Sequence, residues 1–380
     1  MEPIYFDHAA TTRVLPEAAQ AALRAMTEDY GNPSSLYALG TRAAKALADH
    51  REAVAQALGC QAGEVIFTSG GTEGDNWAIS LAAHLGRHRG KHIITTAVEH
   101  AAVLEPCKAL EAQGYQVTYL TPGPDGRVKV SDLEAALRPD TVLVSMMLVN
   151  NETGAIQPVK EAGQVLKRCR SQALLHTDAI QGFLKIPFTP KALGVDLLTV
   201  SGHKIGAMKG SGALYLRAGL RAVPLLRGGG QEKGLRSGTE PTPQIAALAA
   251  ACTLGKAALE DHQTYLTHLK TYALAAFQKA VPGLVVVAAG DAPHICAISL
   301  PGYPSQVVVR WLSDQGFCLS AGSACHRGQA SHVYAAMGLS KPVRDGMLRV
   351  SFGPENTQEE VDRLAQALGT ATQVLLPAGR

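Results

Sequence analysis

The feature that most constrains this chain is an alternation of short β-rich runs with longer helical patterns over its first two-thirds. Residues 64–68, 92–96, 116–120, 141–148 and 173–176 read as strands. Helical patterns begin near Thr72 and cover 101–113 and 159–170. Strands separated by helices of that length require crossover connections, so the sheet is expected to be mainly parallel and the class α/β. Residues 197–201 and 213–216 have no helix between them and suggest a hairpin or a sheet edge. After Gly228-Gly229-Gly230 and Pro241-Thr242-Pro243 the texture changes. A long Ala/Leu-rich helical segment over 244–279 leads to short strands and helices at 295–300, 306–315, 347–352 and 359–375. This part reads as a second, smaller α+β domain.

Composition limits what such a chain does. A formal net charge of +3 over 380 residues offers neither a nucleic-acid groove nor a membrane-binding face. The start, Met1-Glu2-Pro3-Ile4-Tyr5-Phe6-Asp7, lacks the basic and apolar regions of a signal peptide, and no apolar run approaches the roughly 18 residues that span a bilayer. The seven cysteines at 60, 107, 169, 252, 296, 318 and 325 form no C-x-x-C pair. Neither a disulfide framework nor a metal site is expected, and a reducing cytoplasm fits best.

Three segments carry candidate chemistry. Ser201-Gly202-His203-Lys204 ends a strand-like run with a lysine. A free lysine is neutral in only about one molecule in 2,500 at pH 7, a handicap removed when the amine is stored on a cofactor aldehyde. Thr68-Ser69-Gly70-Gly71-Thr72-Glu73 is a strand entering a glycine turn and a helix start, whose unsatisfied N–H groups suit a phosphate. His176-Thr177-Asp178-Ala179-Ile180-Gln181 sets an acid beyond an apolar strand, where it would pair with a protonated pyridine nitrogen. Taken singly, each has a plainer explanation: a surface lysine, an ordinary helix cap and a capping aspartate.

Together with further matches spread in order along the chain, these segments resemble the class V branch of the fold-type I pyridoxal-phosphate enzymes. Within that branch the chain is similar to cysteine desulfurases of the NifS/IscS type. The matches include Tyr5-Phe6-Asp7-His8-Ala9-Ala10-Thr11-Thr12, Tyr30-Gly31-Asn32-Pro33-Ser34-Ser35, Glu99-His100, Val149-Asn150-Asn151-Glu152-Thr153-Gly154, Arg236-Ser237-Gly238-Thr239 and Ser320-Ala321-Gly322-Ser323-Ala324-Cys325. The resemblance implies a large domain over 14–250 with a mainly parallel seven-stranded sheet, and a small domain made of 1–13 and 251–380. It implies pyridoxal 5'-phosphate held covalently by Lys204, with Asp178 on the pyridine nitrogen, Gln181 on the ring hydroxyl oxygen and His100 stacked on the ring. Gly71, Thr72, Ser201 and His203 would hold the phosphate, and Thr239 would reach the phosphate of a second subunit, making a homodimer. Asn150 and Arg349 would bind the substrate carboxylate with Asn32 nearby, a task that suits the planar arginine fork.

Cys325 decides the reaction that the resemblance implies: L-cysteine becomes L-alanine and the sulfur stays on Cys325 as a persulfide. The segment around it has almost no apolar bulk to bury, and His326 or Arg327 would raise the thiolate share. Relative to long-loop members, the stretch from Cys325 to Met337-Gly338-Leu339 is about two residues short, roughly 7 Å of reach. Gly206-Ala207-Met208 also departs from relatives that carry an aromatic and a proline there. A selenocysteine lyase or an aminotransferase is the enzymatic alternative, and a sulfur-assembly scaffold without chemistry the non-enzymatic one. The sulfur acceptor, in iron–sulfur assembly, tRNA thiolation or DNA phosphorothioation, is left open.

Overall fold

The computed structural model describes residues 3–288, 290–322 and 331–377. The chain enters as a short strand, β1 (Ile4–Tyr5), followed by helices Pro16–Thr27 and Ala38–Leu58. A seven-stranded sheet follows: β2 (Val65–Thr68), β3 (His92–Thr96), β4 (Gln116–Leu120), β5 (Thr141–Ser145), β6 (Leu174–Asp178), β7 (Leu197–Ser201) and β8 (Gly212–Leu216). Their spatial order is β2-β8-β7-β6-β5-β3-β4. The run from β4 to β7 pairs parallel, and β8 lies antiparallel to both β7 and β2. The mainly parallel sheet expected from the alternation is therefore present.

β3, β5, β6 and β7 are buried at every position. Helices cover both faces of a parallel sheet, so such strands read as unbroken apolar runs. β7 and β8 form the hairpin read at 197–216, with Ser201 opposite Gly212. Their connection holds Gly202-His203-Lys204 in a single tight turn. Gly206, where an aromatic or proline is absent, has φ 84°, and a Cβ there would lie 2.6 Å from Leu15 Cγ. Backbone conformation and close packing both require glycine at this position.

The second part of the chain contributes β9 (Val285–Val286), β10 (Ile295–Ser299), β11 (Phe317–Cys318) and β12 (Met347–Ser351). β12, β10 and β9 form an antiparallel sheet, while β11 pairs parallel with β1. The N-terminal segment thereby joins the C-terminal core, where Ile4 and Phe6 pack with Phe277, Leu348 and Leu364.

The helical segment read as continuous over 244–279 is instead two helices, Thr242–Ala257 and Leu259–Ala280, meeting at Ala258 (φ −97°, ψ 3°). The first packs Ile245, Leu248 and Cys252 with Ala18, Ala22 and Val200, and the second packs Leu266, Leu269, Ala273 and Phe277 into the other core. A straight helix presents one stripe in one direction, so serving two cores requires a break. No proline or glycine marks residue 258, which is why the sequence pattern ran through it.

Candidate active site

Parallel strands deliver their carboxyl ends to one edge of the sheet, and ligands bind there in open α/β folds. Asp178 ends β6 and Ser201 ends β7. Helix Gly71–Gly86 and helix Ala101–Glu111 start near the same edge and bring Gly71, Thr72 and the N-cap residue His100. These residues, with Gln181, His203, Lys204, Arg349, Ala9, Ala10 and Asn151, line one cavity of about 260 Å³. Nine residues singled out in the sequence thus share a cavity although they span positions 71 to 349.

Lys204 Nζ donates to the carbonyl oxygens of Ala9 (2.6 Å) and Ala10 (2.7 Å). Those acceptors are held in place by the same turn: Thr12 N and Oγ1 donate to His203 O at 2.9 and 3.0 Å, and Gly206 N donates to Thr12 Oγ1 at 2.8 Å. Gln181 Nε2 donates to Ala9 O at 2.9 Å. His100 Nδ1 accepts from Ala102 N at 3.1 Å, so the neutral ring carries its hydrogen on Nε2. His203 is neutral at pH 7, because burial and the charges of Lys204 and Lys209 push it down to about 4.

Asp178 accepts from the Ile180 N–H at 2.9 Å. Burial, then the neighbouring Asp75, lift its carboxyl to about 7. A buried acid in that state favours a cationic N–H donor placed opposite it. Beneath it, Asp75 is wholly buried and lifted to about 7 by desolvation. Neither Asp75 oxygen has a hydrogen-bond partner among the described residues, the nearest imidazole being His176 Nε2 at 3.5 Å.

Asp75 has a consequence for stability. Its folded-state value lies above the unfolded one near 3.8, so the native protein holds a proton that the unfolded chain has lost. Stability therefore falls as pH rises from about 4 to about 7. Asp75→Asn is expected to remove part of that loss, on the order of 1–2 kcal/mol between pH 5 and pH 8. Urea unfolding of cofactor-free protein at the two pH values measures it, and equal losses in parent and variant would contradict the assignment.

Arg349 is buried at the cavity wall. Its Nη2 donates to Asp7 Oδ1 (2.9 Å) and Ser320 Oγ (3.3 Å), its Nη1 donates to Asn151 O (2.9 Å), and its Nε has no partner among the described residues. Ser320 Oγ in turn donates to both oxygens of Asp7. Cys325, with His326 and Arg327, lies outside the described residues.

Three expected site residues do not line the cavity. The Asn150 amide is fully used inside its own turn: Oδ1 accepts from Glu152 N, Thr153 N and Thr153 Oγ1, and Nδ2 donates to Val98 O. It is Asn151, the second asparagine of the pair, that faces the cavity. Asn32 is exposed, and its Oδ1 accepts from Ser34 N in a local turn. Thr239 is exposed on a loop tied down by the Arg236–Glu73 ion pair (2.9 Å) and by Glu232, whose carboxylate takes Arg51 through both nitrogens at 2.7 Å.

Sequence reasoning assigned no role to the Ala9 and Ala10 carbonyls, Asp75, Glu99 or Asn151. Backbone carbonyls carry no residue signature. Glu99 directly precedes His100, and only the fold reveals that its buried Oε1 accepts from Thr96 Oγ1 and from the N–H of the cavity residue Met147, each at 2.8 Å.

The family described as aminotransferase class-V matches residues 4–364. The chain belongs to this family. It is 40% identical over 390 residues to a cysteine desulfurase IscS of Methanosarcina thermophila, covering 98% of this chain and 92% of that protein. It is 42% identical over 374 residues to a cysteine desulfurase of Trichormus azollae, covering 97% and 92%. Among solved structures, a NifS-like protein superimposes with a TM-score of 0.93 at 35% identity, covering 98% of this chain and all of that one. Within class V, the chain groups with the cysteine desulfurases of the NifS/IscS type.

Proposed function

We propose that this chain is a pyridoxal-phosphate-dependent L-cysteine desulfurase that passes sulfur through Cys325 to an acceptor protein. One observation carries the reading: a lysine amine, a buried carboxylic acid, a helix start and a buried arginine converge on one cavity of about 260 Å³. This donor set suits pyridoxal phosphate. Asp178 offers an acid with room for a pyridine N–H, and Lys204 an amine held on two carbonyls. At Gly71 an added Cβ would lie 2.1 Å from Ile180 Cδ1, so glycine lets the helix start pack against Ile180, and the unsatisfied N–H groups of that start suit a phosphate. When bound, the cofactor supplies an electron-withdrawing ring that weakens bonds at the α- and β-carbons of an amino acid.

The chain's own residues do the rest. Gly71, Thr72, Ser201 and His203 would hold the phosphate, His100 would flank the ring, and Gln181 would meet the ring oxygen. Arg349 takes the substrate carboxylate through a guanidinium already oriented by Asp7 and Asn151 O. Asn150 acts one step back, by shaping the turn that presents Asn151. Lys204 moves the proton at the substrate α-carbon. The Cys325 thiolate attacks the substrate sulfur and an S–S bond forms. The Cβ–S bond breaks, and its electron pair stays on Cβ, which takes a proton to give alanine. The enzyme retains the persulfide. Thr239 would serve the phosphate of a second subunit in a homodimer, and Asn32 would lie near the substrate carboxylate.

Borohydride reduction of protein loaded with pyridoxal phosphate, followed by peptide mapping, is expected to place the pyridoxyl group on Lys204. A label on Lys209, or no uptake of cofactor, would overturn the proposal.

A further inference from the structure

Behind Gln181 lies a histidine to which neither the cavity nor the sequence motifs assign a task. His294 precedes β10 and is buried, with 1% of its surface exposed. Its backbone carbonyl accepts from Phe352 N at 2.9 Å, which fixes it to the C-terminal sheet. Its Nε2 faces Gln181 Oε1 at 3.3 Å, and its Nδ1 is buried without a partner among the described residues.

The tautomer follows from these contacts. An amide oxygen only accepts, so the hydrogen of the neutral ring must sit on Nε2, leaving Nδ1 a bare lone pair. The charged ring would bury a second N–H with no acceptor. Desolvation, together with Lys185, Lys270, His8 and Arg349, holds His294 well below the usual histidine range. His294 is thus a one-directional donor at pH 7.

The Ala9 carbonyl, which only accepts, sets which way the Gln181 amide points, and the His294 donor completes the pair by meeting the oxygen at the other end. Gln181 Nε2 donates to Ala9 O at 2.9 Å while Oε1 receives His294. Turning the amide over would set two acceptors against each other at Ala9 and two donors against each other at His294. Ala9 O meanwhile accepts from Lys204 Nζ at 2.6 Å, so both of its lone pairs are engaged. A continuous string of hydrogen bonds, His294 to Gln181 to the Ala9 carbonyl to Lys204, joins the C-terminal sheet, the loop after β6 and the N-terminal segment.

We infer that His294 is a positioning residue of the lysine site: it keys the Gln181 amide as a donor toward the cavity and fixes the carbonyl on which Lys204 rests. The inference rests on the pyridoxal-phosphate reading above, because Gln181 Nε2 has one remaining hydrogen to offer and the ring hydroxyl oxygen is what would receive it. Removing the key leaves Gln181 Oε1 buried without its donor, so the amide is held at Ala9 O alone and its second hydrogen is no longer aimed at the ring oxygen. A ring oxygen that loses a donor holds a neighbouring proton harder.

The test uses full-length protein, as parent, His294→Leu, which keeps bulk without a donor, and His294→Gln, which restores one. Each is loaded with pyridoxal phosphate, and both the cofactor dissociation constant and the pH midpoint of the bound absorbance band are measured. In the Leu variant cofactor binding is expected to weaken roughly five- to tenfold, the size of one lost buried hydrogen bond. Its midpoint should move up by about one pH unit, and the Gln variant should recover most of both changes. Thermal unfolding of the cofactor-free proteins checks folding, and His294→Phe replaces the Leu variant if that one does not fold.

A Leu or Phe variant with the parent's affinity and midpoint overturns the inference. So does a Gln variant as impaired as Leu, since the ring's shape and not its donor would then matter. A parent that takes up no pyridoxal phosphate overturns the functional reading and this inference with it, whereas a loaded parent with an unchanged Leu variant overturns this inference alone.

Discussion

Lys204→Ala is expected to lower alanine release from cysteine by about ten-thousandfold. In the proposed mechanism the lysine has two tasks, holding the cofactor covalently and moving the proton at the substrate α-carbon, and general acid–base catalysis alone contributes about 10²- to 10⁴-fold. Its amine sits within hydrogen-bond distance of two carbonyls that face the cavity, and the described cavity wall offers no second lysine. The variant should still bind pyridoxal phosphate, because Asp178, Gly71, Thr72 and Ser201 are untouched, but borohydride should no longer trap the cofactor on the chain. Small primary amines added to the buffer should restore part of the rate by filling the space left by the side chain. Steady-state assays with and without amine measure both effects. Activity within tenfold of the parent would remove Lys204 from the mechanism.

The second large effect concerns sulfur. Cys325→Ala should keep its cofactor and still change its absorbance on adding cysteine, since Arg349 and Lys204 remain in place. Alanine release should fall at least about a thousandfold, the scale of removing a catalytic nucleophile, and mass spectrometry should find no persulfide. Cys318→Ala is the control. Cys318 lies in β11, half-buried and paired with Tyr5, where the thiol packs in the sheet. At Cys60, Cys107, Cys252 and Cys296 burial pushes the thiols well above their usual range and makes them poor nucleophiles, while Cys169 is exposed outside the cavity. A persulfide mapped to Cys318, or parent-like turnover by Cys325→Ala, would refute the proposed transfer.

The sheet was legible because its strands are short apolar runs bounded by turns. His92–Thr96, Gln116–Leu120 and Leu197–Ser201 have the boundaries that the pattern predicts, and the other strands of the sheet shift by one to three residues. The hairpin of β7 and β8 was legible from the missing helix between two strand patterns. The break at Ala258 was not, because both halves are Ala/Leu-rich and the reason for bending is the existence of two cores, a fact about the whole molecule.

The same division runs through the site. Lys204 after Ser201-Gly202-His203 and Asp178 at a strand end could be named from the chain because their segments recur in order with the other matches, although each alone has a plainer explanation. The choice between Asn150 and Asn151 could not, since neighbouring asparagines have the same chemistry and the turn alone sets which one faces the cavity.

By itself, then, the sequence determined the fold class, the order of strands and helices, and nine of the residues that line the cavity, because periodicity and functional-group type are local properties. Only the tertiary structure decided what those residues touch. Ala9 O bridges Gln181 and Lys204, Asp7 orients Arg349, and His294 keys an amide 113 positions away in the chain. Hydrogen-bond partners of this kind are chosen by distance and burial, which arise only once the two cores have packed against each other.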